Sequence, residues 1–586
     1  MLRQAELHSG AFPASRPNAL SSVLEVTQRE GRKDRFGGNF TLGATDFGFL
    51  FEGPMGKKSS FMLSARESFS QHLLDAIGVP VIPFYSDAQY KQVFRFNPKN
   101  ELILTGVAAY DKYTLNLDAD PSDGLLYNTG YIPEGRQLTY AGGLLYKHHL
   151  DRSYFTMVLS RNYFFNEAEK FLDNSGEVED QVLRFLSKET ENKARFEHKI
   201  FRGSSEWNYG VNIEQDRVET ENFSLYTFPN AKVDTISYAS DIGLVRYGGF
   251  VSHSRRFFDE QLDVFAGLRI DGNTFNTTMQ NPLGQLSPRL SVSWAFLPKW
   301  RWNASAGIYY QLPPYVLMGY TENGALVNQD RLEYMRSRQI ATGLEHTANN
   351  GYQFKLEGFY KAYSDYPFLL QDSISFANAN ANFVVVGNQP ADASGIGRAY
   401  GLEFSIKQKY TKSYFWNLAY SFVVSQFEDR DGVLISTAWD NRHFATLAGG
   451  LRFGRNWQVG ARWSVSGGSP WTPYDLAVSG QREVWDLNRR GITDYSRLNE
   501  DQLPVFHQLD IRVDKQINFK KWTLAFFVDI QNVYSADIAA LPYFTVQRDE
   551  GWNPIVDPND PSRYLTQIID SDTGRVLGSL GVIIDY

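Results

Sequence analysis

Apolar and polar residues alternate along this chain from end to end, in stretches about the length of a strand. The clearest is QLDVFAGLRID, where Leu262, Val264, Ala266, Leu268 and Ile270 share one face, opposite Asp263, Phe265, Gly267, Arg269 and Asp271. HQLDIRVDKQINF repeats the scheme, with Leu509, Ile511, Val513, Ile517 and Phe519 against Asp510, Arg512 and Asp514. KWTLAFFVDIQNVY does so again, with Trp522, Leu524, Phe526, Val528 and Ile530 against Thr523, Ala525 and Asp529. Each stretch has one apolar face and one that mixes small, polar and charged groups. A water-filled or ligand-filled interior accepts those charges; a dry sandwich core does not.

The connections between such stretches form two populations. Short polar turns are expected at 97–100, 297–299, 347–351, 411–413, 454–456 and 519–521, and long connections at 166–192, 313–337, 366–398, 475–504 and 535–577. Short and long alternate, which is the rhythm of an up-and-down barrel with tight turns on one rim and elaborate loops on the other. Pairing the segments from residue 38 to the end gives about 22 strands, a number found in plugged outer-membrane transporters. The expected fold is therefore all-β: a transmembrane antiparallel up-and-down β-barrel with short periplasmic turns and long extracellular loops. Soluble all-β domains also alternate, but a propeller would show repeats of about 40–50 residues, and none is found.

Composition agrees with a barrel. Aromatic residues make up 15% of the chain and glycine is frequent at 47 residues, yet mean hydropathy is −0.37. That combination suits strands whose lipid-facing and water-facing residues alternate. No apolar run is long enough for a membrane helix, and the N-terminal MLRQAELHSG lacks the apolar region of a signal peptide. The net charge of −8 provides no basic footprint for nucleic acid, and with no cysteine there is no thiol nucleophile or thiolate metal site. Other candidate chemistry is sparse. Gly395, Gly397 and Gly401 miss the dinucleotide fingerprint and precede a strand, while His148 and His149 point to opposite faces and cannot share an ion. Asp440 and His443 lack a serine nucleophile motif. No catalytic residue, cofactor or metal site is expected, and the chain does not read as an enzyme. Trp300, Trp302, Tyr309, Tyr310, Trp457, Trp463, Trp471 and Tyr474 read as interfacial girdle rings, with stacking against a bound solute as the other reading.

The chain ends on an alternating strand, GSLGVIIDY, whereas most domains fray at their ends. Ser579, Gly581, Ile584 and Tyr586 match the terminal pattern that outer-membrane barrels present to their assembly machinery. Further stretches resemble the TonB-dependent receptor family, in the version common in Bacteroidota. They are FEGPMGKKSSFMLSARESF (51–69), LSPRLSVSWAF (286–296), GIYYQLPPY (307–315), GFYKAYSDYPF (358–368), GRAYGLEFSIKQK (397–409), the stretch 439–475 that begins WDNRHFATLAGG, HQLDIRVDK and DIQNVY. They occur in the family's order and span most of the chain.

The resemblance implies an outer-membrane receptor and transporter in contact with lipid, which binds a scarce small solute and imports it when TonB pulls on a plug. AELHSGAFPASRPNALSSVLEVTQREG (5–31) looks like the end of that plug, so residues 1–31 are expected to be a plug remnant and residues 32–586 the barrel. The signal peptide, the TonB-contacting segment and most of the plug would precede this point, and the chain reads as truncated. Siderophores, cobalamin, glycans and peptides are all solutes of the family, with a siderophore-sized ligand favoured here. A surface lipoprotein partner is left open. The charges on the mixed faces, Asp263, Arg269, Asp510 and Arg512, are expected to seat the plug or line the path. The rival readings are an unplugged passive pore and a soluble glycan-binding β protein.

Overall fold

The computed structural model describes residues 1–76, 78–227, 232–379, 385–408, 413–572 and 574–586. Among these residues, 22 antiparallel strands follow one another in chain order and close into a barrel. Strands Gly37–Gly43 and Leu577–Asp585 are its first and last members, and they pair to close the ring. Their shared ladder runs from Asn39 opposite Asp585 to Gly43 opposite Gly581, only five residue pairs. It is extended by the final residue, whose N–H donates to the Gly38 carbonyl (2.8 Å) and whose carbonyl accepts from the Gly38 N–H (3.0 Å). The backbone of Tyr586 thus contributes two bonds to the closing seam.

Side chains alternate across the wall as the sequence pattern requires. Leu268 is exposed on the outside, whereas Arg269 beside it is 1% exposed and points inward. The turns at 97–100, 297–299, 347–351, 454–456 and 519–521 lie on the rim that also carries both ends of the barrel. Of the expected turn 411–413 only Ser413 is among the described residues, and 380–384 of the expected connection 366–398 also lie outside them.

The opposite rim is far from level. Around the closing seam the strands are short, 7 residues in Gly37–Gly43 and 9 each in Asp46–Pro54, Thr523–Gln531 and Leu577–Asp585. Halfway round, Gln181–Arg202, Ser205–Thr227 and Val233–Phe257 have 22, 23 and 25. A barrel strand needs only about 9–11 residues to cross the hydrocarbon. Where the lipid ends is visible along Ser205–Thr227: its outward residues are Trp207, Tyr209, Val211 and Ile213, then Gln215, Arg217, Glu219 and Glu221. Above Ile213 the outer face carries ion pairs instead, Arg217 with Asp241 (2.7 Å) and Lys188 with Glu219 (4.0 Å). The expected long connection 166–192 is corrected by this wall. Ser153–Phe171 and Gln181–Arg202 continue as paired strands, leaving only 172–180 as a connection. Both faces of a strand are polar once it has left the bilayer, so the alternation that marks a strand disappears there.

Inside the tall rim the connections fold inward and form a dry cluster. Val218, Ile242 and Leu244 of the wall pack with Phe275, Met279, Leu312, Leu317, Met318 and Leu332. This core fixes the connection between Trp300–Gln311 and Met335–Thr347 against the wall.

Candidate functional site: a lumen crossed at two levels

The lower crossing is made by residues 1–31. Leu2–His8 and Val23–Gln28 form a hairpin, and the stretch between them is pressed against strands Leu262–Asn273, Ser287–Leu297, Met335–Thr347 and Tyr352–Leu369. One inward side chain from each strand holds it by backbone carbonyls. Arg269 donates to the Ala14 carbonyl (3.3 Å), and Arg289 to those of Phe12 (3.1 Å), Pro13 (2.5 Å) and Arg16 (3.2 Å). Gln339 donates to the Leu20 carbonyl, and Lys361 to those of Ser9 (2.8 Å) and Ser21 (3.1 Å). Neither Arg289 nor Lys361 forms an ion pair among the described residues, so carbonyl dipoles take the place of a counter-ion. Arg289 also lies over the rings of Phe12 (4.8 Å) and Tyr309 (4.6 Å), whose centroids are 4.4 Å apart. Phe12 and Ala14 are fully buried by these contacts.

The segment then reaches the other side of the barrel. Lys91 donates to the Gln28 carbonyl (2.7 Å), and the buried carboxylate of Glu52 accepts from Arg29 (2.8 Å) and from the backbone and side chain of Arg32 (3.2 and 3.3 Å). Arg32 continues to the Tyr586 carbonyl (3.1 Å), tying the exit of the segment to the closing seam. Glu30 pairs with Arg95 and with Lys33 (2.9 Å). Burial pushes the Glu30 carboxyl up, but these two cations outweigh it and hold the group at about 2. A lowered value means that the contact is fully present above the ordinary carboxylate range and is lost as pH falls through the lowered value. Backbone hydrogen exchange at residues 28–36, corrected for intrinsic rates, should therefore be constant from pH 5 to 8 and rise as pH falls from about 4 towards 2. Glu30→Gln should remove that rise.

The four charges singled out by alternation divide into two groups. Arg269 meets the segment directly, and also binds Asp271 (2.5 Å) and Asn212 (2.7 Å). Asp263 lines a cavity of 380 Å³ between residues 7–11 and the wall, together with Lys355, Glu357 and Glu403. Asp510 instead accepts from Arg462 (2.7 Å) and Gln508 (2.6 Å), while Arg512 pairs with Asp514 (2.9 Å) and lies over Phe527 (4.3 Å). Those two pair within the wall and, among the described residues, form no hydrogen bond or ion pair with residues 1–31. Arg289, Gln339 and Lys361 were not legible as a set from alternation alone. Their signal was an inward-parity polar residue on each of three strands, two of them inside the stretches LSPRLSVSWAF and GFYKAYSDYPF.

The upper crossing is a lid formed by 467–505, the connection between Trp457–Ser466 and Phe506–Asn518. Counted round the barrel from Gly37–Gly43, it leaves between strands nineteen and twenty. Arg489 of the lid pairs with Asp173 (2.8 Å), in the connection between strands seven and eight, almost half the circumference away. Asn488 donates to Thr227 (2.8 Å) at the end of strand nine. A small core of Trp485, Phe544 and Val546, flanked by Tyr474 and Tyr564, joins the lid to the connection before the last strand. Tyr127, on the helix Asp123–Tyr131, stacks on Tyr543 with centroids 4.6 Å apart.

The aromatic residues divide accordingly. Trp300, Trp457 and Trp463 are exposed on the outer wall, whereas Tyr309 faces the lumen under Phe12 and Tyr474 is part of the lid. The histidines have ordinary partners: Nδ1 of His148 lies 2.7 Å from Asn100 and that of His443 2.9 Å from Tyr420. Asp440 pairs with Arg442 (3.1 Å).

A closed barrel of this size, with an outward apolar belt and a charged lumen crossed twice, is an outer-membrane receptor-type barrel. The family model described as TonB dependent receptor-like, beta-barrel matches residues 69–533. The chain belongs to that family, an outer-membrane family of receptors and transporters whose members bind small ligands such as siderophores and interact with TonB. The fold is similar to that of the ferric enterobactin receptor PfeA from Pseudomonas aeruginosa, with a TM-score of 0.68 at 12% identity over 99% of this chain and 85% of that one. The copper transporter OprC gives 0.67 at 14% over 99% and 85%, and FpvAI, in its complex with pyocin S2, 0.68 at 12% over 99% and 77%. No curated protein sequence matches the chain.

Proposed function

We propose that residues 32–586 are the barrel, and residues 1–31 the luminal end of the plug, of an importer for a scarce solute of siderophore size, with 467–505 as a lid over the solute. The observation that carries this reading is the polar character of the lower crossing. Arg269, Arg289, Gln339 and Lys361 hold main-chain carbonyls, bonds that water can replace at a net cost of about 0.5–1.5 kcal/mol each. A barrier held in this way can be pulled free by TonB and can reseat, whereas a dry apolar core in the lumen would resist both. The similarity in fold to a ferric enterobactin receptor and to a copper transporter favours a chelate or metal cargo. Asp510 and Arg512 would line the path once the plug moves, and Ser579, Gly581, Ile584 and Tyr586 would be read by the assembly machinery.

The lid can be tested directly because the chain has no cysteine. A Cβ built on Gly130 would lie 3.1 Å from Cβ of Arg489, slightly inside the separation of about 3.5–4.5 Å found in disulfides. Oxidised G130C/R489C should abolish energy-dependent accumulation of radiolabelled ferric siderophores, reductant should restore it, and neither single variant should lose it. Accumulation that continues with the lid locked would overturn the lid. Accumulation without TonB would make the chain a passive pore.

A further inference from the structure

We propose that the short-turn rim beside the closing seam is a docking surface for anionic phospholipid headgroups of the periplasmic leaflet, which clasp the seam from outside. The proposal does not depend on what the barrel transports. The basic side chains of this rim are gathered on one side. Going round the barrel, the turns at 453–457, 518–522, 55–58 and 97–100, with the entry to the first strand at 33–36, carry eight lysines and arginines and one acid, Asp34. The opposite turns at 150–153, 202–205, 258–261, 297–300 and 347–351 carry three of each sign. The remaining turn, 409–412, lies outside the described residues.

Most of these charges have no counter-ion. Arg35, Lys57, Arg455, Lys520 and Lys521 are exposed and form no ion pair among the described residues, and Lys58 donates to the Phe96 carbonyl (2.8 Å). The acids at hand are already engaged: Glu30 by Arg95 and Lys33, and Asp585 by Arg32 (3.4 Å). In open water such a row would be an ordinary solvated face. What sets this arc apart is the layer of rings that borders it. Phe36, Phe453, Trp457, Phe519 and Trp522 stand exposed on the outer wall, the last two stacked with centroids 4.1 Å apart. Lys515 starts from the same outer face, between Val513 and Ile517, and bends to the rim. Its Nζ lies over the Trp457 ring (5.1 Å) and donates to the Arg455 carbonyl. Rings mark the level where hydrocarbon gives way to headgroups, and a lysine that snorkels past them puts its charge among phosphates.

The arc straddles the closing seam. The turn 518–522 leads into Thr523–Gln531, which pairs with the last strand, and 33–36 leads into the first, so cations stand on both sides of a ladder of five residue pairs. The turn 55–58 follows Asp46–Pro54, one strand further on. Neighbouring strands are about 4.8 Å apart, which puts these three clusters within roughly 15 Å of one another. Unpaired like charges repel across the seam. Anionic headgroups seated among them remove that repulsion and link the two sides.

The lipid retained by the full chain tests the assignment, after reconstitution in phosphatidylcholine vesicles containing a minor fraction of phosphatidylglycerol and gentle extraction. Phosphatidylglycerol should be enriched over the bulk by about fivefold, the effect of one basic residue at a charged surface, and added salt should reduce the enrichment. The temperature at which the barrel loses its folded mobility on gels should rise with phosphatidylglycerol content. The variant K57Q/R455Q/K520Q/K521Q should retain lipid in the bulk ratio and lose that rise. R152Q/R202Q/K299Q, on the opposite turns of the same rim, should behave as the unaltered chain. All seven side chains are exposed, so both variants keep the packing of the wall. Lipid in the bulk ratio on the unaltered chain, or equal loss in both variants, would overturn the arc as a lipid site. Unchanged lipid retention by the first variant, with poor insertion in cells, would overturn it too and assign the arc to the assembly machinery.

Discussion

Replacing Arg289 by methionine is expected to free residues 9–21 from the barrel wall while leaving the barrel closed. Methionine keeps much of the apolar contact with Phe12 and Tyr309 but cannot donate. The Pro13 carbonyl still accepts from the Arg16 N–H (3.0 Å), so the carbonyls of Phe12 and Arg16 bear most of the loss. Two buried acceptors left unsatisfied correspond to about 2–4 kcal/mol of anchoring. The Ala19–Leu20 bond lies in the anchored stretch, so limited thermolysin digestion reads the effect directly: cleavage before Leu20 should accelerate by about two orders of magnitude, more in the double variant with Lys361→Met. Unchanged mobility on gels would show that the barrel survives. A cleavage rate equal to that of the unaltered chain would mean that the wall arginine does not hold the segment.

Gly581→Val is expected to cause the largest loss of folding among single substitutions in the last strand. A Cβ at this position would lie 2.5 Å from the Phe527 ring on one side and 2.6 Å from the Leu42 carbonyl on the other. The ring can turn, but the carbonyl is part of the seam ladder. Overpacking of about 1–3 kcal/mol then falls on the narrow closing seam and displaces ladder bonds beside it. Refolding yield in detergent, where no cellular machinery is present, should drop about tenfold. Tyr586→Ala separates closure from recognition, because the backbone bonds to Gly38 do not need the ring, which is 61% exposed. Normal refolding in detergent with poor insertion in cells would assign the ring to the assembly machinery. Normal behaviour in both would limit the terminus to closing the barrel.

The barrel was legible because lipid on one side and water on the other impose a period of two wherever a strand is inside the bilayer. Leu268 and Arg269 show the contrast at adjacent positions. The same reasoning explains the failure at 166–192, where Gln181–Arg202 continues into water and loses its apolar face. The lumen contacts were legible in kind but only partly in position. Alternation identifies Arg269, Asp510 and Arg512 equally as inward charges, yet only Arg269 meets residues 1–31, because what a lumen charge touches depends on the path of another segment. The lid was hidden for a different reason. Arg489 and Asp173 are 316 residues apart in sequence and meet through the curvature of the whole barrel.

The way the wall grips residues 9–21 has a consequence for how such segments change over generations. Arg269, Arg289, Gln339 and Lys361 bind carbonyls, which every amino acid carries, and read few of the side chains they hold. What they require is a main-chain path, including the left-handed turns at Ala11 and Asn18 (φ 52° at each). Most substitutions in the segment therefore leave its seat intact. A stretch of foreign sequence with the same backbone course should dock in this barrel provided it keeps an aromatic ring at position 12 and a small residue at 14, the two side chains the wall fully buries.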